Sequence, residues 1–382
     1  MSISAAERMS QVRPETLEIH RRAIIVDGHC DTPYRLKRHQ IGVADPDRSA
    51  QVTLESLVES GMTASFFAAY VPPFYADRGA AAFADTLIDI IQREASLHPT
   101  ALLAGRSVSD IRRAKELGKV ALMTGIEGGH AIEDSLEKLE AFYARGVRYM
   151  TLTHANTNNW ADSSTDEPRH GGLSSFGREV VATMNRLGMM VDISHVADTT
   201  FYHSLETSSV PVIASHSSCR ALTPHPRNLS DAMLRDLAQV GGVCMINFYS
   251  GFINRTVAEV VRGAVPRHDA DQRPGPNEEI PDDREDWASF QAWYGSLACP
   301  EATLTDVLDH IVHAAEVAGV QTVGIGSDYD GVPALPAEIA DIRTLPLLTE
   351  GLLDRGFHPG EVEAILGGNL MRVFGEVEKG RR

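Results

Sequence analysis

The sequence predicts a (β/α)₈ barrel, in which eight parallel strands alternate with helices around a closed sheet. Three observations favour this fold. Apolar runs of strand length recur along the 382 residues, most of them are followed by an amphipathic stretch with helical spacing, and the runs number eight. Eight is the number of strands that closes a parallel barrel. An open, doubly wound sheet is the alternative for the same alternating pattern.

Each predicted strand is a short, continuous apolar run, as expected for a strand that is buried on both faces. The eight runs are 23–27, 64–71, 120–126, 148–153, 189–193, 210–214, 243–248 and 322–326. Helical spacing of apolar residues is found at 80–97, 135–144, 176–187, 199–207, 231–239 and 304–318, and one or two extra helices are predicted at 359–374. We expect residues 1–382 to form a single barrel domain.

One segment, about residues 250–300, departs from this alternation. It follows the seventh predicted strand and contains Pro266, Pro274, Pro276, Pro281 and an acidic run at 282–286. Aromatic residues then follow at near-helical spacing: Trp287, Phe290, Trp293 and Tyr294. An insertion after the seventh strand of a barrel lies on the active-site face, where it could act as a lid. Simple packing of the aromatic stripe on the barrel is the alternative.

Composition excludes several classes of protein. With 43% hydrophobic and 23% charged residues the chain is a typical soluble globular protein. A net charge of −17 argues against nucleic-acid partners and anionic membranes, which both require a basic face. Four cysteines without CxxC spacing predict neither a disulfide framework nor a thiolate zinc site. We expect no signal peptide, no membrane span and a cytoplasmic location, because no suitable apolar run is present.

Side chains that can bind metals stand at six of the eight predicted strand ends: His29 and Asp31, Glu127, His154, His195, His216 and Asp328. His29 and Asp31 are two residues apart, which places both on the same side of an extended backbone. In a parallel barrel the carboxyl ends of all strands converge on one mouth. Any one of these residues could be a capping or core polar group, but the seven together predict a metal site.

The types of ligand indicate the metal. Imidazole and carboxylate without thiolate suit zinc, and less exclusively manganese, iron or cobalt. Five direct ligands are too many for one catalytic zinc ion, which takes three and keeps a position open. Two Zn²⁺ that share Glu127 fit the count, one with His29 and Asp31, the other with His195 and His216. A hydroxide between two cations is a strong nucleophile, and Asp328 would then serve as the general base.

These residues carry a resemblance to a known family. The matching motifs are His29-x-Asp31, 126–130 (Ile-Glu-Gly-Gly-His), 152–154 (Leu-Thr-His), 192–195 (Asp-Ile-Ser-His), 215–216 (Ser-His), 326–331 (Gly-Ser-Asp-Tyr-Asp-Gly) and 367–374 (Gly-Gly-Asn-Leu-Met-Arg-Val-Phe). In this order they resemble the membrane (renal) dipeptidases, binuclear zinc peptidases of the amidohydrolase superfamily. Mammalian members are secreted and lipid-anchored, whereas this chain resembles the soluble, bacterial-type members.

The resemblance implies a function and further site residues. It implies a zinc-dependent dipeptidase that uses a metal-bridging hydroxide and that also cleaves L-Xaa-D-Xaa dipeptides, and it is consistent with a homodimer. By the same resemblance His154 contacts the substrate carbonyl and stabilises the oxyanion, and Asp328 is the acid/base residue. Arg227 matches the arginine that binds the terminal carboxylate of the dipeptide, and Tyr70 matches a tyrosine near the substrate.

Two other functions stay open at this stage. Another amidohydrolase, of the deaminase or lactonase type, is possible, but many of these bridge their metals with a carbamylated lysine after strand four, and residues 149–154 contain none. A non-catalytic barrel would be expected to lack a ligand or Asp328. His310 and His313, three residues apart on a predicted helix, are expected on the surface.

Overall fold

The computed structural model describes residues 5–47, 50–264 and 283–381, and its core is a closed barrel of parallel strands. The strands are β1 Val26–Cys30, β2 Ala64–Tyr70, β3 Leu102–Ala104, β4 Val120–Glu127, β5 Val147–Thr151, β6 Met190–Asp192, β7 Ile213–Ser217, β8 Val243–Ile246 and β9 Val323–Ile325. The order is β2-β1-β9-β8-β7-β6-β5-β4-β3, and a further pairing of β2 with β4 closes the ring. This closure confirms the predicted barrel over the open sheet.

Helices surround the barrel and connect its strands. They are α1 Ala5–Met9, α2 Pro14–Arg22, α3 Thr32–His39, α4 Leu54–Glu59, α5 Ala80–Leu97, α6 Val108–Leu117, α7 Leu136–Arg145, α8 Ser175–Leu187, α9 Asp198–Thr207, α10 Asp231–Gln239, α11 Ser250–Ile253, α12 Arg255–Ala264, α13 Asp283–Ser296, α14 Leu304–Ala318, α15 Pro346–Asp354, α16 Pro359–Glu363 and α17 Asn369–Gly380. The predicted bounds of α5, α10 and α14 are confirmed. The helices of the described residues are all too short or too polar to cross a bilayer.

Two strands lie about three residues later in the chain than predicted. Strand β1 runs to Cys30 and β7 to Ser217, so the predictions 23–27 and 210–214 were wrong at their ends. Glycine often interrupts a strand, but Gly28 lies inside β1. The absence of a Cβ at Gly28 leaves room inside the barrel for the Met245 sulfur, which lies 2.3 Å from where a Cβ would be. Both strands continue past a shift in register with their neighbours, which sequence periodicity does not reveal.

The ninth strand, β3, was not predicted. It has three residues and pairs with the first residues of β4. β5 pairs with the same edge of β4, nearer to the carboxyl end of that strand. A three-residue strand is too short to give a periodic signal. It extends the sheet beside the barrel and does not take part in the closure.

The insertion follows β8, the seventh strand of the barrel, as predicted. It contains α11, α12 and α13, while the four prolines lie outside the described residues. The aromatic stripe of α13 packs on the barrel: Tyr294 lies 6.2 Å from Tyr249, between ring centroids, and the Trp287 ring lies 4.4 Å from the Arg38 guanidinium of α3. The described aromatic stripe therefore packs on the barrel, while the lid function stays a prediction.

His310 is buried, so the expectation of a surface position was wrong for this residue. Its Nδ1 accepts a hydrogen bond from the Cys219 amide at 2.9 Å, and its Nε2 lies 3.0 Å from the Ile253 carbonyl oxygen. The imidazole thereby ties α14 to the loop after β7 and to α11. Its neighbour His313 is partly exposed and pairs with Asp231 at 2.8 Å.

Candidate active site

The predicted ligands meet at the carboxyl ends of the strands. His29 lies in β1, Glu127 ends β4, and His216 lies in β7. Asp31 directly follows β1, and His195 lies three residues after the end of β6. The register shifts in β1 and β7 flank His29 and His216. A bulge of this kind redirects a side chain at the rim of a barrel, which explains why these two histidines lie within strands and still face the mouth.

One group of ligand atoms forms around His29. Its Nε2 lies 3.3 Å from Oδ2 of Asp31 and 3.4 Å from Oε2 of Glu127. All three side chains are buried. His29 and Asp31 therefore lie on the same side of the chain, as the spacing of two residues predicts, and they share their contact with Glu127.

A second group forms around the other oxygen of Glu127. Oε1 lies 3.0 Å from Nε2 of His195 and 3.3 Å from Nε2 of His216. The two imidazole nitrogens are 2.9 Å apart. Glu127 thus presents one carboxylate oxygen to each group, which is the arrangement expected of a carboxylate shared by two cations.

The donor set fits divalent cations. Within the described part of the chain, three sets of ligand atoms lie within 4.8 Å of one another: His29/Glu127/His216, Glu127/His154/His195 and His29/Asp31/Asp328. His29 Nε2 and Asp31 Oδ1 are buried and have no well-aligned hydrogen-bond partner among the described residues. Buried polar atoms without partners are costly, and a metal ion would satisfy them. Nitrogen and oxygen donors without sulfur suit zinc and its neighbours.

Electrostatics point in the same direction. Burial lowers the pKa of His195 to well below its usual range, and it lowers the pKa of His216 as well, so both imidazoles are neutral and can donate a lone pair. Burial acts to raise the pKa of Glu127, but the charge of His29 and the hydrogen bonds of the histidines hold it well below the usual value. Burial raises the pKa of Asp31 to about 7. His195 and His216 are therefore available as neutral ligands beside the ionised carboxylate of Glu127, a combination that a divalent cation would stabilise.

Behind the ligands, the same arrangement of Asp and Ser occurs twice. Asp27 accepts hydrogen bonds from the amide and hydroxyl of Ser327, at 2.8 and 2.7 Å. Asp192 accepts from the amide and hydroxyl of Ser215, at 2.8 and 2.5 Å. Each serine directly precedes a site residue, Asp328 or His216. The two buried carboxylates thus fix the backbone on which those side chains are mounted.

Asp328 lies in this cluster in an uncommon backbone conformation. Its φ is +65° and that of His195 is +70°, in the left-handed region that non-glycine residues rarely adopt. Such conformations persist where the surroundings fix them, and they concentrate at functional sites. Here the Asp328 amide donates to the His29 carbonyl at 3.1 Å, and the Ser164 amide donates to the His195 carbonyl at 2.8 Å.

His154 and Tyr70 form the wall beside Glu127. Nε2 of His154 is 4.0 Å from Oε1 of Glu127, and its side chain keeps 18% of its surface exposed. The Tyr70 and His154 ring centroids are 4.7 Å apart. His154 is therefore the most accessible imidazole of the cluster, which suits contact with a substrate.

Arg227 is buried against the β7 end and not on a surface loop. Its Nη2 donates to the His216 carbonyl at 3.1 Å, and its guanidinium lies 5.2 Å from the Phe252 ring centroid. Burial lowers its pKa to about 10, while Asp328 and Glu127 oppose this shift. Nε of Arg227 is buried without a hydrogen-bond partner among the described residues. One N–H donor of the guanidinium thus remains unused beside the cluster.

Several residues of the site were not predicted: Asp27, Tyr149, Asp192 and Asn247. Tyr149 contacts His29, and Asn247 contacts Asp328. All four lie within predicted apolar runs. For Asp27, Asp192 and Asn247 the available signal was a polar group in a buried run, whereas Tyr149 gave no such signal. His130, close behind Glu127, is buried and is not a member of the three ligand groups.

Comparison with known proteins decides the family. The sequence profile of the family described as membrane dipeptidase (peptidase family M19) matches residues 13–382. The chain belongs to the membrane dipeptidase family. Mouse dipeptidase 3 is 33% identical over 382 residues, which cover 97% of this chain and 68% of the mouse protein. Dipeptidase verJ of Clonostachys rogersoniana is 34% identical over 371 residues, which cover 93% of this chain and 84% of that protein.

Solved structures share the fold of this chain. A probable dipeptidase, PvdM, from Pseudomonas aeruginosa has the same fold, with a TM-score of 0.82, 24% identity, and coverage of 98% of this chain and 99% of that one. An amidohydrolase from the same organism has a TM-score of 0.73 at 26% identity, covering 95% and 99%. As a membrane dipeptidase family member, the chain is a metallopeptidase with dipeptides as its substrate class. Membership favours peptide hydrolysis over the deaminase and lactonase alternatives.

Proposed function

We propose that this chain is a zinc-dependent dipeptidase that holds two Zn²⁺. One ion would be bound by His29, Asp31 and Glu127, and the other by Glu127, His195 and His216. The observation that carries the proposal is the orientation of Glu127, whose Oε2 faces His29 at 3.4 Å and whose Oε1 faces His195 at 3.0 Å. When bound, the two ions would supply an activated water molecule and polarise the scissile carbonyl.

Asp328 is proposed as the residue that moves the proton. Its Oδ2 accepts a hydrogen bond from Asn247, so we assign the proton transfer to Oδ1. Oδ1 would take a proton from the attacking water and deliver it to the amine that leaves. Its backbone, fixed by the Asp27–Ser327 contact and by the His29 carbonyl, keeps the carboxylate in one place between these two steps.

The other side chains would bind the substrate. His154, partly exposed and 4.0 Å from Glu127, would donate a hydrogen bond to the oxyanion of the tetrahedral intermediate. The unused Nε–H of Arg227 would bind the terminal carboxylate of the dipeptide. Tyr70, whose ring lies beside His154, would pack against the substrate close to the reacting carbonyl.

Tolerance for a D-residue at the carboxyl-terminal position is part of the proposal. A metallopeptidase from Rhodobacter sphaeroides with the same fold, at a TM-score of 0.75 and 23% identity, was solved with a phosphinate mimic of the dipeptide L-Ala-D-Ala. The likeness is one of fold, and the family membership of this chain connects it with dipeptide chemistry. A cytoplasmic location, a homodimer and a single domain stay predictions.

A panel of dipeptides tests the proposed function. Purified protein is assayed against L-Xaa-L-Xaa and L-Xaa-D-Xaa dipeptides, before and after treatment with a chelator and after Zn²⁺ is restored. We expect hydrolysis that chelation removes and Zn²⁺ restores, and cleavage of both stereochemical series. Absence of metal-dependent turnover across the panel would refute the proposal and favour a non-catalytic barrel.

A further inference from the structure

The three proposed ligand histidines, His29, His195 and His216, differ in the hydrogen-bond partner of Nδ1, the ring nitrogen that would not bind the metal. An imidazole that binds a cation through Nε2 must carry its proton on Nδ1, so the partner of Nδ1 selects the correct tautomer. Nδ1 of His216 lies 2.7 Å from the Ser215 hydroxyl, and Nδ1 of His29 lies 2.8 Å from the Tyr149 hydroxyl. Nδ1 of His195 is buried, and no described residue forms a hydrogen bond with it.

The partner of His216 has its own proton committed. The Ser215 hydroxyl donates to Asp192 at 2.5 Å, so it can only accept from the His216 Nδ1–H. Asp192 also accepts from the Thr151 hydroxyl at 2.5 Å, which keeps this carboxylate in place. The tautomer of His216 is therefore set by the Ser215 hydroxyl, whose orientation its hydrogen bond to Asp192 fixes.

The partner of His29 is a phenol whose position is fixed by packing. Tyr149 is fully buried on β5, opposite Gly125 of β4 in the strand register. A Cβ on Gly125 would lie 2.2 Å from the Tyr149 ring, so the glycine leaves room for the ring against β4. Phe66 packs against the same ring at 5.2 Å between centroids. The Tyr149 hydroxyl is thereby held at His29 from inside the barrel.

We infer that Tyr149 is a positioning residue for His29: its oxygen accepts the Nδ1–H, so that the Nε2 lone pair faces Asp31 and Glu127. The inference rests on the proposed metal site. By this inference, different residues behind the ligands set the zinc affinity of each of the two sites. Affinity at the His29–Asp31 site depends on Tyr149, whereas affinity at the His195–His216 site depends on Ser215 and Asp192.

Zinc affinity tests this inference without an activity measurement. Metal-free, full-length protein is titrated with Zn²⁺ against a chromophoric chelator, which resolves the two dissociation constants. We expect Tyr149→Phe to weaken one constant about 10–100-fold, the usual effect of removing a partner behind a metal ligand, and to leave the other unchanged. Ser215→Ala is expected to weaken the other constant. Tyr143→Phe, a tyrosine on the outer helix α7, is the matched control and should change neither.

Two further measurements separate the possible outcomes. Thermal unfolding of metal-free Tyr149→Phe shows whether the variant has a folding defect. The ¹⁵N chemical shifts of the zinc-loaded wild type report the tautomer of His29, and the His29 signal is assigned as the one that is lost in His29→Asn. Unchanged constants in Tyr149→Phe, equal weakening of both, or an unprotonated Nδ1 on His29 would each overturn the inference. So would a wild type that binds fewer than two Zn²⁺. A wild type that binds two Zn²⁺ but cleaves no dipeptide would refute the proposed function alone.

Discussion

The side-chain amide of Asn247 donates a hydrogen bond of 2.8 Å to Oδ2 of Asp328, and both side chains are buried. The amide cannot turn around, because its Oδ1 accepts from the Tyr249 backbone N–H at 2.5 Å. Asn247 directly follows β8, next to β9, at whose end Asp328 lies. The carboxylate proposed for proton transfer is therefore oriented by a neighbouring strand and not by its own loop alone.

Removal of this amide should reduce turnover while the metal content stays the same. We expect Asn247→Leu, similar in size but without the donor, to lower kcat about 100-fold, the effect of a small misplacement of a catalytic group. Dipeptide kinetics and zinc analysis of the same sample check this. Asn159→Ala, an exposed asparagine that donates to Asp134, is the control and should retain full activity. A normal kcat in Asn247→Leu would remove Asn247 from the mechanism.

Asp328→Asn should nearly abolish dipeptide hydrolysis. The amide is similar in shape but cannot shuttle a proton, and loss of a general acid–base group typically costs about 10²–10⁴ in rate. Zinc content should stay near that of the wild type, because the proposed ligands are other residues. Asp89→Asn, at an exposed aspartate that pairs with Arg145, serves as the control. Substantial activity in Asp328→Asn would contradict the acid/base assignment.

The barrel could be predicted from the sequence because its strands are buried on both faces. Where a strand is regular, the continuous apolar run predicts its bounds to within one residue, as for 120–126 and 64–71. The ends of β1 and β7 could not be predicted, because there the chain continues through a register shift that depends on the neighbouring strand. The burial of His310 could not be predicted either, because both of its hydrogen-bond partners are backbone groups of segments far from it in the sequence.

The candidate ligands could be predicted because each is a polar residue at the end of an apolar run. Tyr149 could not, since an aromatic residue inside a predicted strand is indistinguishable from core packing. Its contact with His29 requires the space above Gly125, and that space exists only once β4 and β5 are paired. Long-range pairings of this kind carry no local sequence signal.

Glu127→Gln should change the number of bound ions. The substitution keeps the shape but replaces one carboxylate oxygen with an amide nitrogen that cannot bind a cation, so one of the two groups loses its shared ligand. We expect zinc content to fall from two equivalents to at most one, measured by elemental analysis after desalting. Glu133→Gln, which affects a glutamate paired with Lys138, is the matched control. Two tightly held ions in Glu127→Gln would contradict the shared-carboxylate geometry.

Gly331→Ala should damage the site through steric contact alone. A Cβ at Gly331 would lie 2.0 Å from Oδ2 of Asp31 and 2.9 Å from Oδ1 of Asp328, so the Asp31 carboxylate must move away from His29. We expect weaker zinc binding and loss of turnover. The control is Gly360→Ala, where a Cβ has open space, and this variant should retain both properties. Equal behaviour of the two variants would show that Asp31 is not held where the structure places it.

Stability should fall as the pH drops from 6.5 to 4, and His310 should account for part of the loss. Burial lowers the pKa of His310 to about 4, against an ordinary value of 6.5. Between these values the unfolded chain binds more protons than the folded one, so stability decreases as the pH falls through this window and is fully present above it. From the size of this shift we expect about 2 kcal/mol of loss between pH 7 and pH 5.

A comparison of variants isolates the contribution of His310. Other titrating groups change stability with pH in every variant, so the measured quantity is the difference between variant and wild type in the free energy of urea unfolding at each pH. His310→Gln is less stable than wild type at pH 7, because two buried hydrogen bonds are disturbed, but the difference should narrow by about 2 kcal/mol at pH 5 since glutamine does not titrate. A constant difference between His310→Gln and wild type would show that the buried imidazole does not couple protonation to unfolding.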